Sequence, residues 1–318
     1  MKYRNLNIAL IVPCYNEGLT IGKVVRDFKD QMPSLSIYVF DNISNDKTAE
    51  VARAAGAEVV EVALPGKGNV VRRMLADVEA DVYVMVDGDA TYEAGAVANL
   101  VNKLIDDKLD MVVGCRNSIE LEAYRPGHQF GNWLLTKSVS LIFGGSFTDM
   151  LSGYRAISRR YAKSFPALSQ GFEIETELTV HALELKMSYG EVSTDYGARP
   201  EGSLSKLSTF KDGWRILRTI IKLFVYERSL LFYSLCASFF VFLGFALGLP
   251  VIIDFLATGL VPRFPTAILS SALMVCGLLA FVCGLILNLI SRARHEAKML
   301  AYLAIPHPWE RCNNSESI

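Results

Sequence analysis

The sequence contains no Cys-x-x-Cys pair: its six cysteines are Cys14, Cys115, Cys236, Cys276, Cys283 and Cys312. That excludes a zinc ribbon or a disulfide framework and fits a reducing compartment. An excess of charge of either sign is also missing. Lys and Arg number 32 against 33 Asp and Glu, a net charge of −1 over 318 residues. A general polyanion binder needs a basic excess, so nucleic acid is not expected as a partner. No Gly-x-Gly-x-x-Gly follows the first apolar run, which argues against a dinucleotide fold. Gly66-Lys67 lacks the upstream glycine and the following Ser/Thr of a P-loop. Finally, two long stretches carry no charge: the 25 residues 229–253 and the 28 residues 264–291.

What is there is apolar. Hydrophobic residues make up 51% of the chain, too many for a disordered protein. At ~1.5 Å per residue either uncharged stretch exceeds the roughly 30 Å hydrocarbon core of a bilayer. Two transmembrane helices are expected, joined as a hairpin by residues 254–263. Lys211, Arg215, Arg218, Lys222 and Arg228 precede the pair, Arg292, Arg294 and Lys298 follow it, and Arg263 stands alone between. The positive-inside rule then puts both chain ends in the cytoplasm. Residues 1–7 do not resemble a signal peptide.

Just before the hairpin, Phe210, Trp214, Leu217, Ile221 and Phe224 recur at spacings of 4, 3, 4 and 3, beside a stripe of Lys211, Arg215, Arg218 and Lys222. This predicts an amphipathic helix lying in the membrane interface, or alternatively one packed on the soluble domain with its basic face in solvent. Residues 199–228 hold seven Lys/Arg against three Asp/Glu, a local charge of +4 inside the neutral total. The expected organisation is therefore a catalytic domain over 1–207, an interfacial helix over 208–228, two spans within 229–291 and a cytoplasmic tail over 292–318.

Residues 1 to about 115 alternate between short apolar runs and helical spacing. Strands are predicted over 8–12, 37–40, 59–62, 82–86 and 111–113, with helices over 19–32, 48–55, 69–78 and 94–104 between them. Such alternation implies an α/β fold with a mostly parallel sheet, whose ligands bind at the carboxyl ends of the strands. Those ends carry Pro13-Cys14-Tyr15-Asn16-Glu17, Asp41-Asn42, Pro65-Gly66-Lys67-Gly68, Asp87-Gly88-Asp89 and Gly114-Cys115-Arg116. Two carboxylates one residue apart after a buried strand, Asp87 and Asp89, can converge on a divalent cation, and hard oxygen donors suit Mg²⁺ or Mn²⁺. The competing reading is an ordinary acidic turn.

Val12-Pro13-Cys14-Tyr15-Asn16-Glu17, Asp41-Asn42-Ile43-Ser44-Asn45-Asp46 and Asp87-Gly88-Asp89 resemble the family 2 glycosyltransferases of GT-A fold, and Asp149-Met150-Leu151-Ser152-Gly153-Tyr154-Arg155 with Gly202-Ser203-Leu204-Ser205-Lys206-Leu207, the amphipathic helix and the hairpin narrow the resemblance. Within them the chain looks like the polyprenyl-phosphate glycosyltransferases, which include dolichol-phosphate mannose synthase and GtrB-type enzymes. The resemblance implies that Pro13, Tyr15, Glu17 and Asp41 contact the nucleoside and Lys67 the nucleotide. Asp87 and Asp89 would hold the metal and diphosphate. Arg116, Arg155, Ser203 and Lys206 would steer donor and acceptor phosphates, and Asp149 would face the acceptor and sugar. Asp149, Asp89 and Arg155 are then the expected catalytic group. The acceptor-side arginine of the family appears here as either Arg125 or His128. Asn42 stands where the family often has a second Asp, and Leu204 is an insertion in its Gly-x-Ser-Lys motif. Glu173 and Glu175 are rivals for the acidic role, with a solvated helix start as the stronger reading of both.

The resemblance implies inverting transfer of one sugar from a nucleotide sugar, UDP-linked by first expectation, to a polyprenyl phosphate at the cytoplasmic face of a bacterial inner membrane. Mg²⁺ or Mn²⁺ would be the cofactor, the bilayer a partner, and a homo-oligomer such as a tetramer is permitted. A processive polysaccharide synthase is the first alternative, but the chain has no Gln-x-x-Arg-Trp element. A non-catalytic membrane adaptor is the second, and the intact Asp87, Asp89, Asp149 and Arg155 argue against it.

Overall fold

A computed structural model of the chain describes residues 6–118, 128–200 and 209–309. The described residues form two compact units, one of Met1–Thr219 with Lys298–Ile318 and one of Ile220–Ala297.

The first unit is built on a seven-stranded sheet. Its strands are β1 (Ile8–Cys14), β2 (Ser36–Asp41), β3 (Glu58–Glu61), β4 (Val82–Met85), β5 (Met111–Ser118), β6 (Arg155–Ser158) and β7 (Tyr189–Tyr196), in the spatial order β3-β2-β1-β4-β6-β5-β7. All five strand predictions fall on β1 to β5: β1, β2, β4 and β5 hold buried apolar runs, while β3 is carried by the partly buried Val59 and Val60. The pairings β1–β2, β2–β3, β1–β4 and β5–β7 are parallel, while β6 lies antiparallel between β4 and β5. That one reversal matters for the site. The start of β6 lies at the carboxyl end of its neighbours, with Arg155 opposite Met85 and Val113. The segment leading into β6, residues 149–154, is thereby delivered to the edge where β1, β2, β4 and β5 end.

Helices α1 (Ile21–Gln31), α2 (Thr48–Ala54), α3 (Lys67–Asp77) and α4 (Val97–Asp106) connect the early strands, and α5 (His128–Phe143), α6 (Arg159–Ser164) and α7 (Ile174–Glu184) follow. Ile21, Val24, Val25 and Phe28 form the buried face of α1, and Val97, Leu100, Val101, Leu104 and Ile105 that of α4. Both sets recur at helical spacing and pack with the buried Leu10, Val12, Val82 and Val84 of the sheet in one core.

The same unit includes the end of the chain's last helix. Lys298 pairs with Glu184 at 2.7 Å, and the Tyr302 hydroxyl donates to Asp110 Oδ2 at 2.9 Å. Asp110 is fully buried, and also accepts two bonds from Arg160 and one from Ser158. His307 Nε2 lies 2.8 Å from the Leu109 carbonyl, and Lys108 sits over the Trp309 ring. The described part of the stretch expected as a tail over 292–318 is thus helical to Leu303, and its residues His307 and Trp309 then lie against Leu109 and Lys108 at the root of β5.

Helix α8 (Thr209–Glu227) covers the predicted amphipathic stretch. Trp214 and Ile221 of the predicted apolar stripe are exposed, at 69% and 51%, and among the described side chains the buried positions are Ile216 and Ile220, one step round the helix.

In the second unit, α9 (Ser229–Thr258) and α10 (Phe264–Leu303) are long and apolar enough to cross a membrane. The link between them is shorter than expected, because α9 runs to Thr258 and ends at Gly259, in the left-handed conformation that favours glycine. Buried positions recur every seven residues: Ala237, Gly244 and Val251 on α9, and Gly277, Gly284 and Ser291 on α10. A seven-residue repeat keeps one seam facing its partner. Small residues let the backbones approach: a Cβ on Gly277 would lie 2.8 Å from Val241, and one on Gly284 2.7 Å from Tyr233. Ser270 Oγ donates to the Gly244 carbonyl at 2.9 Å across the seam.

Candidate active site

The loops after β1 and β2 are stitched together. Asn16 N–H donates to Ser44 Oγ at 2.8 Å, Asn45 N–H to Asn16 Oδ1 at 2.8 Å, Gly18 N–H to Asp46 Oδ2 at 2.9 Å and Glu17 N–H to Thr48 Oγ1 at 2.8 Å. Asp41 is buried and accepts from the Ser44 hydroxyl. Pro13 is half-buried at the end of β1, Tyr15 is 45% exposed and Glu17 is buried. The β1–β2 edge therefore presents Tyr15 above a fixed floor. Ile43, with φ +57°, holds a left-handed conformation that a β-branched residue rarely adopts, and this strain sits at the Asp41 loop.

Asn42 has a structural task. Its Nδ2 donates to the carbonyls of Val62 at 2.9 Å and Leu64 at 2.8 Å, and its Oδ1 accepts from Gly66 N–H at 2.7 Å. An aspartate has no donor for the two carbonyls. The departure from the family's second Asp thus ties β2 to the loop that starts α3.

That loop places Lys67. A Cβ on Gly66 or Gly68 would lie 2.2 Å from the Gln170 or Ser169 carbonyl respectively, so only glycine fits at either point. Lys67 Nζ lies 2.5 Å from Asp87 Oδ1 and 2.6 Å from Glu175 Oε1. Burial pulls the Lys67 ammonium down, but Asp87 and Glu175 outweigh it and hold the pKa above its ordinary value. Burial pushes the Glu175 carboxyl up, and Lys67 opposes that shift. The expectation of a solvated Glu175 is therefore corrected: it is 4% exposed, buried at the start of α7 and paired with a cation.

Asp89 is 3% exposed. Its Oδ1 accepts from Thr91 Oγ1 at 2.6 Å, and its Oδ2 lies 2.5 Å from Arg199. Arg199 follows β7, a strand the sequence reading did not identify, and its pairing was not anticipated. Gly153 backs onto Asp87, where a Cβ would sit 2.5 Å from Oδ2. Its N–H donates to the Tyr92 hydroxyl at 3.0 Å. Burial raises the Tyr92 pKa well beyond its ordinary value, so the phenol stays neutral.

At the end of β5, Arg116 grips Asp149, with Nε to Oδ2 at 2.6 Å and Nη2 to Oδ1 at 2.8 Å. Asp149 is buried, and Arg116 also faces the Tyr196 ring. Arg155 requires a correction. It is 0% exposed and donates to the carbonyls of Ser152 at 3.0 Å, Met150 at 2.5 Å and Glu175 at 3.2 Å. Burial lowers its pKa. A guanidinium whose donors are spent on backbone does not steer a substrate phosphate; it holds the 149–153 segment and the start of α7 in place. Burial pushes the Cys115 thiol, beside Arg116, up to about 12, which disfavours its thiolate. Arg125, Ser203, Lys206 and the side chain of His128 lie outside the described residues.

The assembled edge alternates in charge: Asp87 with Lys67, Asp89 with Arg199, and Asp149 with Arg116. Among the described residues no group of three or more His, Cys, Asp or Glu side chains converges. The candidate metal ligands are therefore the carboxylates of Asp87 and Asp89, hard oxygen donors that fit Mg²⁺ or Mn²⁺ when substrate oxygens complete the shell.

The glycosyl transferase family 2 profile matches residues 9–165. Glycosyltransferase AglJ of Haloferax volcanii is 35% identical over 70% of this chain and 72% of its own. The dolichyl-phosphate hexose transferase of the same organism is 27% identical over 71% of this chain and 98% of its own. Among solved structures, glucosyl-3-phosphoglycerate synthase from Mycobacterium tuberculosis, in complex with Mn²⁺, UDP and phosphoglyceric acid, superposes with a TM-score of 0.56 at 22% identity, over 70% of this chain and 79% of that one. At that identity the likeness is one of fold, and the fold is GT-A. The chain belongs to glycosyl transferase family 2.

Proposed function

We propose that this family 2 glycosyltransferase moves one sugar from a nucleotide sugar, UDP-linked in the first instance, to a polyprenyl phosphate, with inversion at the anomeric carbon. The observation that carries the proposal is the pairing of Asp87 and Asp89 with Lys67 and Arg199 at 2.5 Å each. Such an edge suits a metal–diphosphate, because the carboxylates match a divalent cation and the two cations match phosphate oxygens. A bound Mg²⁺ or Mn²⁺ would supply positive charge against the departing nucleoside diphosphate. The solved relative binds Mn²⁺ with UDP, and the Haloferax relative is named for a dolichyl phosphate.

Each residue of this chain then has a task. Tyr15 and Asp41 line the nucleoside end. Lys67 and Arg199 carry charge to the diphosphate. Asp149 fixes Arg116 toward the phosphates; it has no proton to remove, since a phosphate monoester acceptor is already largely ionised at pH 7. Helices α9 and α10 would anchor the chain in the bilayer that holds the acceptor. The basic stripe of α8 would face lipid phosphates at the cytoplasmic surface, and the exposed Trp214 and Ile221 suit that interface.

The test is a donor screen. The purified full chain in lipid nanodiscs receives polyprenyl phosphate, Mn²⁺ and one labelled UDP or GDP sugar at a time. Label in the lipid extract with one donor is expected. Nucleotide release with no lipid label from any donor contradicts the acceptor assignment.

A further inference from the structure

Lys67 has two anionic partners, and they differ. Asp87 follows β4 and its side chain is 28% exposed, open to a solute. Glu175 is closed off at 5% exposure, and the Lys67 side chain is 12% exposed. Glu175 is also held from behind, since its carbonyl accepts from Arg155 at 3.2 Å and from the Thr179 hydroxyl at 3.1 Å. The family's metal-and-diphosphate group, as transferred from the sequence motifs, includes Lys67 and Asp87 but assigns nothing to Glu175.

We propose that Glu175 is a positioning residue for Lys67, a second carboxylate that retains the ammonium when Asp87 turns to a divalent cation. This rests on the transfer reading above for its metal and its diphosphate. With Asp87 alone, Lys67 is a permanent counter-ion. A divalent cation must then displace it from its one anion and leave a buried ammonium unpaired, which is costly. With Glu175 present, the three groups sum to −1. Asp87 can release Lys67 without leaving the ammonium uncompensated, and Lys67 remains beside the metal-bound diphosphate rather than swinging out to solvent. Glu175 touches neither metal nor substrate and acts only through Lys67.

The experiment is a Mn²⁺ titration in the presence of UDP, followed by electron paramagnetic resonance of the free ion, on the full-length chain and on Glu175→Gln. Glutamine keeps the shape and removes the charge, and Asp87 remains to pair Lys67, so the variant is expected to fold; its thermal midpoint checks this. Mn²⁺ binding is expected to weaken about tenfold, the scale of one charged hydrogen bond. In steady state the donor KM rises with it while the polyprenyl phosphate KM holds, a split that a general loss of packing would not produce. Action through Lys67 sets a second requirement: in a Lys67→Met background, Glu175→Gln changes Mn²⁺ binding no further. Wild-type affinity in Glu175→Gln, or a tenfold effect that persists without Lys67, overturns the proposal. The titration reads metal, not product. A chain that labels no lipid but still loses Mn²⁺ affinity in Glu175→Gln therefore sinks the transfer reading and leaves Glu175 in place.

Discussion

Arg116 and Asp149 form a two-pronged ion pair at the carboxyl edge of the sheet, with paired contacts of 2.6 and 2.8 Å between residues 33 positions apart. The pair exists because antiparallel β6 delivers the 149–154 segment beside the end of β5. On the proposed transfer, Asp149 would orient a cation rather than take a proton. Asp149→Asn keeps the shape and loses one anionic acceptor, so kcat is expected to fall about 100-fold, the scale of a displaced catalytic cation. Arg116→Lys, which loses the planar fork, should fall comparably. The pH–rate profile of Asp149→Asn should keep its acidic limb; loss of that limb would identify Asp149 as a base.

Asn42→Asp restores the residue the family often carries. Here it replaces two donors with acceptors facing the carbonyls of Val62 and Leu64. Unfolding should show a loss of about 1–3 kcal/mol, the cost of unsatisfied buried groups. An unchanged or raised midpoint would show that Asn42 does not hold this loop.

His181 is 2% exposed, packed against Tyr161 and Phe165, with Nε2 3.1 Å from Ser164 Oγ. Burial, aided by Lys298, depresses its pKa from an ordinary 6.5 to about 3. The unfolded chain thus binds a proton that the folded chain refuses between these values, and stability rises with pH through that window. Below 6.5 this residue costs up to about 1.4 kcal/mol per pH unit. Unfolding midpoints of wild type and His181→Phe between pH 5 and 7 check it. The wild type should lose stability toward pH 5 more steeply than the variant, and parallel lines would contradict it.

Tyr302→Phe removes one hydrogen bond to the buried Asp110, which keeps Arg160, Ser158 and Ser188 as partners. A loss of about 2 kcal/mol is expected, with faster proteolysis of the chain end. Equal midpoints and equal cleavage would show that the clasp does not stabilise the unit.

The fold was legible where local pattern decides it. Buried runs such as 8–12 and 82–86 read as strands, and the 21/24/25/28 spacing reads as a helix, because one-sided burial imposes those periods. Strand β6 escaped notice because it lies beyond the alternating pattern of residues 1–115, and its direction depends on β4 and β5, distant in sequence. The family resemblance placed Arg155 at the substrate phosphates, a role carried over from a motif, which does not show that packing buries this side chain. The spacing of Asp87 and Asp89 offered a metal pair beside the competing reading of an acidic turn, and only their place after a buried strand and the family resemblance favoured the pair. Glu175 and Arg199 were not legible, since each acquires its meaning from a partner more than 100 positions away, at Lys67 and Asp89 respectively.

The mass of the lipid product tests the proposed transfer most directly. The full chain, polyprenyl phosphate, Mn²⁺ and the donor found by the screen are incubated, and the lipid phase is analysed by mass spectrometry beside Asp89→Ala. Lipid phosphate carrying one sugar is expected, with at least ~100-fold less of it from the variant. A ladder of longer glycans, no glycolipid at all, or full activity in Asp89→Ala would contradict it.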